Sequence, residues 1–118
     1  MSNGTLSGPK IVSVDEALAE LAEINSEIRH KECLEGDGFN VGLVSFSATT
    51  TTDPRQIVHD DKDVVCHVLR GRGRLRAAGD ITSLRPGMLC HIPRGVPHDF
   101  AAEEGELVLC YSLITTKR

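Results

Sequence analysis

The part of this 118-residue chain best equipped for chemistry is residues 87–98, Gly-Met-Leu-Cys-His-Ile-Pro-Arg-Gly-Val-Pro-His. Gly87 opens a turn, and the apolar run from Met88 to Ile92 has the length of a short strand. Pro93-Arg94-Gly95 then forces a tight turn, and Val96 and Pro97 bring the chain back so that His98 is aimed at the strand just finished. An imidazole held there can ligate a metal, relay a proton or simply close a hydrogen bond in a core. Part of this run, Leu89-Cys90-His91-Ile92, shares a pattern with two further stretches, Val65-Cys66-His67-Val68 and Leu109-Cys110-Tyr111-Ser112. If these are strands, each cysteine and the ring that follows it point to opposite faces. Cysteine is most often a small buried hydrophobe, and no lysine or arginine stands beside these thiols to activate one, so packing is favoured over thiol chemistry. Arg70, Arg72, Arg74 and Arg76 alternate, as an oxyanion site would need, but a solvated face next to Asp and Glu is the preferred reading. No Ser or Cys occupies a strand-to-helix elbow, and Gly71-Arg72-Gly73 leads into a strand rather than a helix, so neither nucleophilic catalysis nor a phosphate loop has support.

The elements that must position these residues are mostly short strands. Ser13-Val-Asp-Glu16 is a capping box, and the stripe Val14, Leu18, Leu21, Ile28 with Ala17 and Ile24 predicts an amphipathic helix running to about residue 28. Gly36-Asp37-Gly38 marks a turn. Beyond it, strands are predicted over 39–47, 56–59, 64–69, 74–77, 81–84, 88–92, 98–101 and 107–115, separated by Gly, Pro and Asp signals, with a Thr-rich stretch at 49–52. So many short strands at close spacing predict an antiparallel sandwich or barrel.

Composition bounds the rest. One domain with a single core fits this length. Hydrophobic content of 40%, with three Phe, one Tyr and no Trp, means that aliphatic side chains must fill that core. A balance of 13 basic against 17 acidic residues, net −4, argues against a nucleic-acid or anionic-membrane binder. The start of the chain has no basic, apolar leader and no stretch approaches a membrane span, so a cytoplasmic location is expected. The four cysteines form no Cys-x-x-Cys pair, which fits reduced thiols better than a disulfide framework.

The spacing of residues 87–98 (Gly, five residues, Pro, one residue, Gly, two residues, His) resembles the second signature motif of the cupin superfamily, with Ala102 where that family carries Asn. Val68-Leu-Arg-Gly71-Arg-Gly73 resembles the end of the first motif. The resemblance covers roughly residues 39–115 and implies an all-β double-stranded β-helix, or jelly roll. It divides the chain into an N-terminal lead and helix over 1–38, packed on the barrel, and a cupin barrel over 39–118.

In that family the first motif carries two histidines one residue apart, then a glutamate seven positions before the glycine matched by Gly71. On this register His59 is one of the pair, while Ile57 and Val64 fill the other two donor positions. The resemblance therefore implies a site made by His59 and His98 across the barrel, with Asp63 as a third donor if the register slips by one residue. Gln56 is a weaker alternative donor. Gln56, Ile57, Val64, Cys66 and Phe100 are expected to line the pocket, around a divalent ion such as iron, nickel, manganese or zinc. The three cysteine-bearing strands are neighbours in the family fold. Cys66, Cys90 and Cys110 are then expected on the inner face, and His67, His91 and Tyr111 on an outer face that pairs two copies into a homodimer. A reversed register would instead bring His67 and His91 inward as ligands or acid–base groups. Two functions remain open at this point: a metal-dependent dioxygenase, lyase or isomerase acting on a small organic molecule, or a non-catalytic small-molecule-binding or sensor protein without metal.

Overall fold

The computed structural model describes residues 8–47 and 57–116. Within them the chain forms α1 (Val14–Leu18), β1 (Ala22–Glu23), β2 (Ile28–Gly36), β3 (Phe39–Phe46), β4 (Lys62–Arg70), β5 (Gly73–Ala77), β6 (Asp80–Leu84), β7 (Leu89–Ile92), β8 (His98–Ala102) and β9 (Leu107–Thr115). They make two antiparallel sheets, one of order β1-β2-β3-β9-β4-β7 and one of order β6-β5-β8. This is the expected all-β jelly roll with one short N-terminal helix. The Thr-rich stretch and Gln56 lie outside the described residues.

The helix begins where the capping box places it, with the Ser13 hydroxyl accepting from the Glu16 amide at 3.3 Å. It ends at Leu18, ten residues short of the expectation. Its last turn tightens, with Ala19 N–H on the Glu16 carbonyl and Glu20 N–H on that of Ala17. Asn25 then reverses the chain: its side-chain oxygen accepts from the amides of Glu27 and Ile28 at 2.7 and 3.0 Å. From Ile28 the backbone pairs with β3 as far as Gly36, with a bulge between Glu32 and Leu34. A helix through residue 28 would leave Phe46, at the end of that edge of β3, without Ile28 and would strip β1 from Arg29 and His30, so the ladder overrides the helical period. β2, which lies before residue 38, is thus a neighbour of β3 in the larger sheet.

The core lies between the sheets. Phe46, Val64, Cys66, Val68, Ile92, Leu107 and Leu109 from the larger sheet meet Leu84, Phe100 and Ala102 from the smaller. Leu107 and Leu109 are fully buried, and each such side chain contributes about 1.5–3 kcal/mol. The link from β4 to β5 depends on Gly71, whose φ of +82° is open to glycine and whose missing Cβ would strike the Glu106 carbonyl oxygen. That sharp crossing carries the chain from one sheet to the other.

Candidate functional site

Strand pairing decides which side chains meet inside the barrel. Directly opposed residues share a face, and β4 opposes Val64 to Ile92 and Cys66 to Cys90. Val64, Cys66 and Val68 are buried on the inner face, and Val65 and His67 point outward with Leu89 and His91. The reversed register that would bring His67 and His91 inward is therefore not adopted. On β9, Cys66 faces Tyr111 and His67 faces Cys110. This corrects one expectation: Tyr111 is inward and Cys110 outward. Reading the three Cys-containing motifs in parallel assumed that the cysteines align, whereas the β4–β9 register is offset by one, and an offset of one inverts every side chain. Cys110 instead lines a small cleft with Cys33, Val12 and Val14 on the outer side of the sheet.

His98 lies on β8, opposite Ala77 of β5. It is 3% exposed. Its Nδ1–H donates to the Val96 carbonyl at 2.9 Å, so that in the neutral ring the lone pair is on Nε2. The backbone of Ile57 is stitched to His98 by two 2.9 Å hydrogen bonds, and Gly95 N–H donates to the His59 carbonyl at 2.7 Å. These bonds hold His59 beside His98, ring centroids 5.8 Å apart. Burial, followed by the neighbouring His98 and Lys62, pushes the His59 imidazole below its ordinary pKa, against a weaker opposing pull from Asp61. Phe100 stands edge-on to His98 at 6.1 Å and packs on Phe46 at 5.2 Å.

These residues share one cavity of about 320 Å³, within the range of small-molecule pockets. Ile57, His59, Val64, Cys66, His98 and Phe100 all line it, as the sequence register implies. The rest of the wall is Ile24, Ile28, Val44, Phe46, Leu109 and Leu113, with two polar side chains that sequence reasoning missed, His30 and Tyr111. Their rings stack at 6.5 Å. His30 was hidden because β2 was not recognised as a strand. Tyr111 can lie over β3 because its partner there is Gly42, which has no side chain. Burial, and then nearby Glu32, raises the Tyr111 pKa, so its hydroxyl stays protonated.

The donor set does not suit a tightly held divalent ion. Such a site needs about three or four N, O or S ligands, whereas Ile57 and Val64 put hydrocarbon at two of the four positions. Asp63 faces outward, where its carboxylate binds His91 Nε2 at 2.7 Å and the Arg94 amide at 3.0 Å. No group of three metal-binding side chains occurs among the described residues. Cys66 is no reactive substitute: burial, then Cys90 and Cys110, pushes its thiol up to about 12. The outward arginines are engaged elsewhere, Arg76 with Asp99 at 2.6 Å and Arg70 with Glu106 at 3.5 Å.

Two antiparallel sheets closed over an apolar cavity, with a histidine delivered by a Pro-x-Gly turn, define a small double-stranded β-helix. The family model described as Cupin domain matches residues 42–114, and the chain belongs to that family. No curated protein matches it significantly. Among solved structures it is similar to KdgF from Halomonas sp., at 18% identity and TM-score 0.76, covering 92% of this chain and 96% of that one. It also resembles an RmlC-like cupin from Shewanella frigidimarina, at 14% identity and TM-score 0.71 over 94% and 95% of the two chains. A third similar structure is a predicted oxalate decarboxylase from Thermotoga maritima, at 13% identity and TM-score 0.67 over 75% and 81%. At these identities the likeness establishes the fold alone. No helix among the described residues is long and apolar enough to cross a membrane.

Proposed function

We propose that this protein binds a small organic molecule in the barrel without a metal, His59 and His98 providing polar contacts in a largely apolar cavity whose wall also carries His30 and Tyr111. The observation that carries this reading is the substitution of Ile57 and Val64 at two family donor positions while His59 and His98 remain in place against the same cavity. A metal-dependent dioxygenase, lyase or isomerase would need a third donor, and Asp63 is committed to His91 on the other face of β4. Four free thiols and a net acidic charge fit a protein of the cytoplasm. The outward face of β4, β7 and β9, carrying His67 and His91, is proposed as a homodimer contact, supported by Val65, Ile114 and Leu89, the last 74% exposed.

The test is elemental analysis by inductively coupled plasma mass spectrometry on protein purified without chelator or a metal-affinity tag, alongside the His59→Ala and His98→Ala variants. The expected result is far less than one metal per chain in all three. Near-stoichiometric iron, nickel, manganese or zinc in the wild type, lost in both variants, would overturn the proposal and restore the metalloenzyme.

A further inference from the structure

We infer that the cavity is built for an uncharged ligand bearing a hydroxyl, an alcohol or phenol, which donates its hydrogen bond to Nε2 of His98; this rests on the metal-independent reading above. The first observation is the buried imidazole itself. Its Nδ1–H is committed to the Val96 carbonyl, so Nε2 is an acceptor, and it has no hydrogen-bond partner among the described residues. His98 stands in the cavity wall, so Nε2 can accept a hydrogen bond from a ligand O–H that enters it.

The second observation is the charge of the wall. Among the described residues that line the cavity there is no lysine, arginine, aspartate or glutamate. A carboxylate or phosphate drawn into it would lose its hydration with no counter-charge to replace it. A ligand anion would also face the Nε2 lone pair of His98, acceptor against acceptor.

The third observation is shape. The Phe46–Phe100 pair presents aromatic surface next to His98, and a volume of about 320 Å³ accommodates a two-ring planar skeleton. Tyr111 and His30, stacked on the facing sheet, offer a second uncharged polar contact for a ligand long enough to reach them.

Three probes on one skeleton separate these features: 2-naphthol, its methyl ether 2-methoxynaphthalene, which cannot donate, and 2-naphthoate, which is anionic. They are titrated calorimetrically into the full-length, EDTA-treated protein at pH 7.5. The expected result is 2-naphthol binding about tenfold more tightly than either of the others, equivalent to about 1.4 kcal/mol. His98→Ala removes that preference while leaving the affinity for the ether within about twofold. Circular dichroism checks that the variant is folded; should it not fold, His98→Gln, whose amide oxygen still accepts, is expected to keep 2-naphthol ahead of the ether. Naphthoate bound as tightly as naphthol, naphthol bound no better than the ether, or a preference unaffected by His98→Ala would each overturn the ligand class while leaving metal-free binding intact. Binding of the probes only after one equivalent of Mn²⁺ or Zn²⁺ is added would overturn both this inference and the proposed function.

Discussion

Gly42 is where the fold and the cavity depend on one missing methyl group. It lies buried in β3 between β2 and β9, with Glu32 opposite on one side and Tyr111 on the other. A Cβ built there would collide with the Tyr111 hydroxyl, lie 2.6 Å from Tyr111 Cζ and 2.7 Å from the Lys31 carbonyl oxygen. The ring can swing away, but the carbonyl is part of the β2–β3 pair and cannot move without disturbing the ladder. Overpacking of this kind costs about 1–3 kcal/mol. The backbone at Gly42 is not in the left-handed region, so alanine recovers about 0.4–1 kcal/mol by restricting the unfolded chain. Gly42→Ala should therefore destabilise by about 1–2 kcal/mol, a fall in Tm of about 4–8 °C for a domain of this size. In a Tyr111→Ala background only the carbonyl contact remains, and the cost of Gly42→Ala should drop by about 0.5 kcal/mol or more, the signature of coupled residues. Thermal and urea unfolding of the four proteins measure the cycle. An unchanged or raised Tm for Gly42→Ala, or equal costs in both backgrounds, would refute the assignment of Tyr111 to the space above Gly42.

Other consequences follow from the site's electrostatics. The bond from His91, then the amide of Arg94, holds the Asp63 carboxyl below its ordinary range, so its stabilising contribution is complete above that range and is lost as pH falls through the lower folded-state value. Asp63→Asn should reduce the urea midpoint at neutral pH and converge with wild type under acid. His59, followed by NMR of its ring protons, should titrate below a free imidazole, chiefly through burial, and His98→Ala should return it partway upward by removing the neighbouring imidazole. Timed alkylation with iodoacetamide at pH 8, read by peptide mass spectrometry, should modify Cys66 more slowly than Cys33, because the buried thiol rarely ionises. Equal rates would contradict its enclosure.

Much of the architecture was legible because a jelly roll writes itself in turns. The strand predicted over 107–115 coincides with β9, and the apolar run at 64–69 lies inside β4, since a strand buried on one face and paired on both edges must be rich in Val, Leu and Cys. The register implied by Gly71 and His98 put Ile57, His59 and Val64 at one cavity because turn glycines fix where each strand begins. What was not legible is instructive. β2 reads Ile-Arg-His-Lys-Glu-Cys-Leu-Glu-Gly, a charged segment whose period is broken by a bulge at Cys33, and its strand character comes from β3 rather than from itself. The facing of Tyr111 failed for a related reason: similar tripeptides say which residues alternate, but only the pairing says which alternate set points inward.

The positions that departed from the family pattern are more informative about function than those that kept it. Glutamate at position 64 and histidine at position 57 would have given the cavity two more donors and a negative charge, and a bound ion would then have attracted anionic oxygen ligands. With valine and isoleucine there, the same backbone encloses hydrocarbon, and burial lowers the His59 pKa with no cavity carboxylate to raise it. His98 is nonetheless oriented by the Val96 carbonyl as firmly as a metal ligand would be. Its other nitrogen is left to the cavity rather than to a partner in the core. The apolar replacements and this cavity-facing imidazole together support the proposed recognition site with altered ligand chemistry rather than a decayed one.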